Sequence, residues 1–241
     1  MGLLFSLDSF SLFSNQHIYI LLIFLILTVF ITALANAIKN NRKAILFITK
    51  ILIGFTVFQE ICDYSNRYMN DALSLAIDLP FHICNYVLLL SVIALYNRNE
   101  YLFNFCYFNP FSGALMANLT PDVSGVVGDA GLFFFFLHHF LIIINVLWMI
   151  FGFGMIPNFK GLLATAVLLN VFAIPVGLIN LLIGNGANYM YLCEKPPVEN
   201  ALLIGDWPVY MISLEFIALT IFIILLTPFK LGEISKWTLK R

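Results

Sequence analysis

Two short stretches hold the residue types best suited to chemistry. Leu79-Pro80-Phe81-His82-Ile83-Cys84-Asn85 places a thiol two residues after an imidazole, and His138-His139 offers two more imidazoles side by side. Pro80 suits the first turn of a helix, which puts Cys84 about one turn further in. A helix N-terminus favours a thiolate, but apolar surroundings oppose it, so a thiol here needs a base. His138 and His139 are the candidates. His138 shares a helical stripe with Asn145, seven residues on, which points that stripe inward and His139 toward a different neighbour.

Metal binding by His82, Cys84, His138 and His139 is the competing chemistry. Adjacent residues on a helix project about 100° apart, so His138 and His139 do not easily reach one ion. His82 and Cys84, at i and i+2, are likewise on different faces. The spacing therefore implies no metal, and the covalent reading requires no diffusible cofactor. Bland roles are available for other residues. Glu215 suits helix packing or an ion pair with Arg67. Cys62, Cys106 and Cys193 read as small apolar fillers or loop residues, and no spacing supports a disulfide between Cys62 and Cys193. The Phe133–Phe136 run reads as lipid-facing.

The elements that must position these residues follow from composition. Of 241 residues, 61% are hydrophobic and 10% charged, at a mean hydropathy of +0.96. A soluble domain is nearer half apolar and a quarter charged, so the chain reads as an integral membrane protein. A net charge of −1 and no basic stripe exclude nucleic acid as a partner. The apolar runs are continuous rather than alternating, which predicts an all-α bundle and not a barrel. Seven stretches are long enough to span a bilayer: 18–37, 44–64, 79–96, 101–119, 132–153, 161–184 and 208–229. The fourth is interrupted by Asn104, Asn109, Pro110 and Ser112, which predicts a kink or a break.

With seven spans, one side receives Lys39, Arg42, Lys43, Arg98, Lys160, Lys230, Lys236, Lys240 and Arg241, and the other only Arg67 and Lys195. The positive-inside rule then places the N-terminus outside and the C-terminus in the cytoplasm of a cell-membrane protein. No linker or composition shift divides the chain, so residues 1–241 form one domain. The first stretch lacks basic residues at its front and a small-residue cleavage site, and reads as a retained helix.

Polar residues inside a membrane face the bundle interior or a cavity. Gln59, Glu60, Asp63, His82, Asn85, Asn118, His138, His139, Asn180 and Glu215 all fall within roughly 10–12 Å of the outer boundary at 1.5 Å per residue. The cytoplasmic half shows Asn104, Asn170 and Cys106. This segregation predicts a polar cavity opening toward the outer leaflet.

The Leu79–Asn85 segment resembles the LPxHxC motif of bacterial YwaF-type integral membrane proteins. Phe111-Ser112-Gly113-Ala114-Leu115-Met116-Ala117-Asn118-Leu119-Thr120-Pro121-Asp122 resembles their GAxxAxxTPD segment. His138-His139, Asn188-Tyr189-Met190-Tyr191-Leu192 with Lys195-Pro196, and Trp207-Pro208-Val209-Tyr210 follow in the expected order. That family is similar to eukaryotic transmembrane protein 164, a lipid-remodelling acyltransferase that uses a cysteine acyl-thioester. The resemblance implies Cys84 as nucleophile and a fifth-span histidine as base. His139 is the closer positional match and His138 is favoured by the stripe, so both stand.

The expected function is acyl transfer or acyl hydrolysis on outer-leaflet phospholipid. Asn85, Asn118 or Asn188 would bond the developing oxyanion, and His82 would orient substrate or headgroup. Asp63 or Glu215 would orient the base, and Tyr189 would join Asn188 in lining the binding region. Membrane lipids are the expected partners, and no protein partner is implied. The alternative is a permease or lipid-binding membrane protein without covalent chemistry. A polar distribution confined to one leaflet argues against it.

Overall fold

The computed structural model describes residues 5–196 and 204–230, and every regular element among them is helical. Eight α-helices follow in order: α1 (Asn15–Ile38), α2 (Arg42–Met69), α3 (Ile83–Asn97), α4 (Glu100–Ser112), α5 (Ala114–Leu119), α6 (Gly128–Phe153), α7 (Phe159–Ile183) and α8 (Val209–Lys230). A short 3-10 turn, Tyr189–Tyr191, lies between α7 and α8. Five helices, α1, α2, α6, α7 and α8, are long and apolar enough to cross a membrane. The chain is a helical membrane bundle.

The remaining two stretches differ from the simple expectation. The third starts as a helix only at Ile83, because Leu79–Phe81 form turns, and α3 is 15 residues long. The fourth is broken into α4 and α5 at Gly113, just after Pro110. Proline removes a helical N–H and crowds the preceding turn, so the break falls where the polar and proline residues cluster.

Helix starts follow local chemistry. Asn41, Asn99 and Asn158 accept backbone N–H groups of Ala44, Tyr101 and Gly161 at 3.1, 2.9 and 2.9 Å, as capping side chains do. Gly154, at φ 68°, ends α6 in the left-handed conformation that glycine adopts without strain.

Helix α6 is the axle of the bundle and packs against all of α1–α5. Its most apolar window is 67% buried, against 17–22% for the other four long helices. Those helices turn large side chains such as Phe30, Phe58, Val171 and Ile224 outward. Such a belt has no place in water but suits hydrocarbon. Helix α4 is the second buried element, packed against α3, α6, α7 and α8. Gly161 lets α7 approach it, since a Cβ there would collide with the Asn104 side chain.

Candidate functional site

Helix α3 begins beside the break between α4 and α5. His82 is its N-cap by backbone geometry but makes no side-chain cap bond. Its ring turns instead to the 3-10 turn, lying 5.1 Å from the Tyr189 ring and 5.7 Å from that of Tyr191. The Met190 N–H donates to His82 Nδ1 at 3.4 Å. Cys84 follows in the first helical turn, where backbone N–H groups lack intrahelical acceptors. A Cβ built on Gly113 would lie 3.6 Å from the Cys84 sulfur, an ordinary van der Waals contact, which places the α4–α5 break beside the thiol. Cys84 is partly buried and packs against the apolar core.

The loop framing this helix start is built by asparagine and tyrosine. Buried Asn180 bonds both backbone groups of Tyr189, at 2.9 and 3.0 Å. The Tyr189 hydroxyl accepts from Leu79 N–H at 2.9 Å and donates to the Leu75 carbonyl at 2.8 Å. Asn188 accepts from Cys193 and Glu194 N–H and donates to the Glu194 carbonyl. Tyr189 thus holds the approach to α3, while Asn188 closes its own loop. Asp122, from the Thr-Pro-Asp stretch, interacts electrostatically with His82 and Tyr191. Burial, the larger effect, and the Asp122 carboxylate together push the Tyr191 phenol above its ordinary pKa.

The two adjacent histidines part company. His139 Nδ1 lies 2.7 Å from the Phe135 carbonyl, which can only accept. Nδ1 therefore carries the proton and Nε2 keeps its lone pair. His138 turns the other way, its Nδ1 2.6 Å from Glu60 Oε1 on α2. The two rings are 5.1 Å apart. The inward stripe through His138 and Asn145 is real, and His139 meets a different partner, as α6 is central and has more than one inward face.

The other expected site residues separate into groups. Asp63 bonds Arg67 at 3.4 Å, and Arg67 reaches Asp78 at 2.7 Å and the Gly125 carbonyl at 3.1 Å. Arg67 is thus paired with these two carboxylates and not with Glu215. Glu215 sits on an exposed face of α8 without a side-chain partner. Asn85 is partly buried and makes no side-chain hydrogen bond. Asn118 is buried, and its Oδ1 has no partner. Among the described residues, no three His, Cys, Asp or Glu side chains gather as for a metal ion. All four cysteines are free.

A family model for the TMEM164 family matches residues 12–226. The chain belongs to that family. No curated protein and no solved structure matches it. The match takes in the start of α3, the α4–α5 break, both histidines and the 3-10 turn.

Sequence reasoning missed four residues that shape this region. Glu60 was one of several outer polar groups, with nothing to single it out as the His138 partner. Asp78 became visible only once the 71–82 loop folded back on Arg67. Asn180 reads as a helix-end residue. His17 binds the Asn118 carbonyl at 2.8 Å across 101 residues, a contact that no local signal reveals.

Proposed function

We propose that this protein is a membrane-embedded, cysteine-dependent lipid acyltransferase or acyl hydrolase. The observation that supports the reading is a helix-start thiol on one of two packed helices and an imidazole of fixed tautomer on the other. Cys84 sits in the first turn of α3 beside Gly113, and α6, which packs against α3, carries His139 with Nε2 left as acceptor. Family membership supports the reading.

In this reading a phospholipid ester carbonyl approaches Cys84. His139 Nε2 takes the thiol proton, sulfur attacks the carbonyl carbon, and the ester C–O bond breaks. The proton passes to the departing oxygen, leaving an acyl-thioester on Cys84. Backbone N–H groups at the α3 start and the Asn85 amide are the oxyanion donors closest in sequence to the thiol. Asn188 is less suited, because its amide is spent on the loop. Transfer of the chain to an alcohol or to water completes the cycle. Membrane lipids are the substrates, and the chemistry calls for no metal or cofactor.

The proposed topology has seven crossings, with α3 and the α4–α5 pair completing those of the five long helices. It puts the N-terminus outside, the C-terminus in the cytoplasm, and Cys84 toward the outer leaflet of the cell membrane. In a background with Cys62 and Cys193 changed to serine, a cysteine at Ser124 should react with impermeant maleimide on intact cells. One at Asn40 should not, and the reverse pattern would overturn the assignment. Phospholipid turnover by purified protein should vanish in Cys84→Ala.

The permease or binding-protein reading is favoured by one observation. Polar contacts continue along α6, where Asn145 reaches Ser91 on α3 at 2.9 Å and Trp148 reaches Thr49 on α2 at 2.9 Å. Polar groups are therefore less confined to one leaflet than the amide and charged residues alone imply. Turnover that persists unchanged in Cys84→Ala, or solute uptake without turnover, would favour it.

A further inference from the structure

The seam where α2 meets α6 is built on one stripe of α2. Ile45, Thr49, Leu52, Thr56 and Gln59 are its buried residues, and Asp63 continues the stripe one turn on. Thr49 bonds Trp148 of α6 at 2.9 Å, and Thr56 lies 3.4 Å from the Asn145 amide nitrogen. Just beyond Gln59, Glu60 meets His138 at 2.6 Å. Gln59 is thus bracketed along α2 by two contacts with α6, and it is 1% exposed.

Neither polar atom of that amide has a hydrogen-bond partner; it adjoins the Glu60 carboxylate without the geometry of a bond. Asp63 Oδ1 is also buried and unpartnered, because Arg67 lies against Oδ2 at 3.4 Å. Asn145 spends its amide nitrogen on Thr56 and Ser91, which leaves its buried Oδ1 unpartnered. Among the described residues, five buried side-chain atoms lack a partner, and four of them gather on this stripe and the Asn145 that meets it. Such atoms are costly, and folded proteins leave few of them. Four along about 10 Å of one seam mark the place of a polar guest.

The chemistry of the four atoms selects that guest. Three are oxygens that accept, and Gln59 Nε2 donates. A metal cation would satisfy the oxygens and strand the nitrogen. Water both donates and accepts, so it serves whichever way the Gln59 amide is turned. The oxygen and nitrogen of one amide point apart, so a single water cannot serve both. Three or four waters at hydrogen-bond spacing fit in about 10 Å.

We propose that the α2–α6 seam binds a short file of water, centred on Gln59, that runs between the Asp63 carboxylate and the Asn145 amide. The file solvates the carboxylate oxygen that Arg67 does not reach. It ends at Asn145, which bonds Ser91 at 2.9 Å, and Ser91 lies two turns along α3 from Cys84 on one stripe. Water therefore hydrates the bundle interior as far as the α3 stripe that carries Cys84. This water site stands whether or not Cys84 is acylated.

The test is radiolytic footprinting of full-length protein in phospholipid nanodiscs, read by mass spectrometry. Radicals formed in place from bound water label side chains that bulk solvent does not reach. Trp148, fully buried and one turn past Asn145, reports on the seam, and Phe108, equally buried on α4, is the dry control. Trp148 should be labelled severalfold faster than Phe108 in wild type. Gln59→Met, close in size but apolar, should lower Trp148 labelling severalfold. It should also lower the unfolding temperature, because it strands the Asp63 and Asn145 oxygens. Gln59→Asn keeps an amide on the stripe and should keep most of the labelling. Trp148 labelled no faster than Phe108 in wild type overturns the proposal, and points to a dry seam in which the Gln59 amide turns to bond Glu60 or Asp63 directly. Labelling that Gln59→Met leaves unchanged overturns it too. So does a Gln59→Met protein that melts as high as wild type or higher, since that amide would then be buried at a loss. Should Gln59→Met fail to fold, labelling of wild type and Gln59→Asn decides.

Discussion

The polar contacts around α2 and α6 fall into two halves built from different chemistry. The half toward the C-terminal end of α2 is ionic: Arg67 joins Asp63 on α2 and Asp78 in the loop that follows, and Glu60 joins His138 on α6. The half toward the N-terminal end of α2 is neutral: Asn145 on α6 contacts Thr56 on α2 and Ser91 on α3 at 3.4 and 2.9 Å, and Trp148 bonds Thr49. The hydroxyls of the neutral half are already satisfied within their own helices. Thr49, Thr56 and Ser91 donate to the carbonyls of Ile45, Leu52 and Leu88. Removing a partner there strands little. In the ionic half Asp78 and Glu60 each depend on a partner from another segment, Asp63 depends on Arg67 within α2, and removing a partner leaves a charge in a poorly solvated place. Charge in a membrane protein is costly and concentrates where function needs it. The ionic half holds His138, the neighbour of His139, and Asp78, just before the start of α3.

This contrast predicts a graded response to substitution. Arg67→Met should be the most damaging change, because it leaves Asp63 and Asp78 unneutralised. Breaking a buried pair in this way costs about 3–5 kcal/mol, which should appear as a large fall in folded yield and thermal stability in detergent. A variant as stable as wild type would show that water, not Arg67, solvates these carboxylates. Tyr189→Phe should come next. It removes the bonds to Leu79 N–H and the Leu75 carbonyl, a loss of about 1–3 kcal/mol. Thiol-reactive probes should then meet Cys84 at a changed rate, since Leu79 leads directly into His82 and Cys84. An unchanged rate would separate that loop from the site. Asn145→Ala should be mildest, at about 0.6 kcal/mol, a typical interhelical hydrogen bond in a membrane. Thermal unfolding of this variant close to that of Arg67→Met would erase the distinction between the two halves.

Much of this architecture is legible in the sequence, for identifiable reasons. Long apolar runs mark α1, α2, α6, α7 and α8, because hydrocarbon demands them. Pro110 and its polar neighbours foretell the α4–α5 break. The start of α3 is later than hydropathy suggests, since Leu79-Pro80-Phe81 is apolar but spent on turns held by Tyr189. Cys84 and the histidines are visible by residue type. Their pairing is not, because it depends on which face of a central helix meets which neighbour. A stripe argument separates inside from outside only for a helix with a lipid face, and α6 has almost none. Seam hydroxyls escaped notice because threonine and serine count as nearly apolar while hiding their donors in the helix backbone. Glu215 drew attention through charge and depth alone, whereas its exposed position depends on how α8 packs.

The central claim is that Cys84 carries an acyl group. Its most direct test is mass spectrometry of the peptide containing Cys84, from protein incubated with a defined diacyl phospholipid and quenched in acid. The account predicts a mass increase matching one acyl chain, reversed by neutral hydroxylamine and absent from Cys84→Ala, which should also lose turnover. Phospholipid turnover that continues unchanged in Cys84→Ala, with no acyl mass on the wild-type peptide, would contradict it.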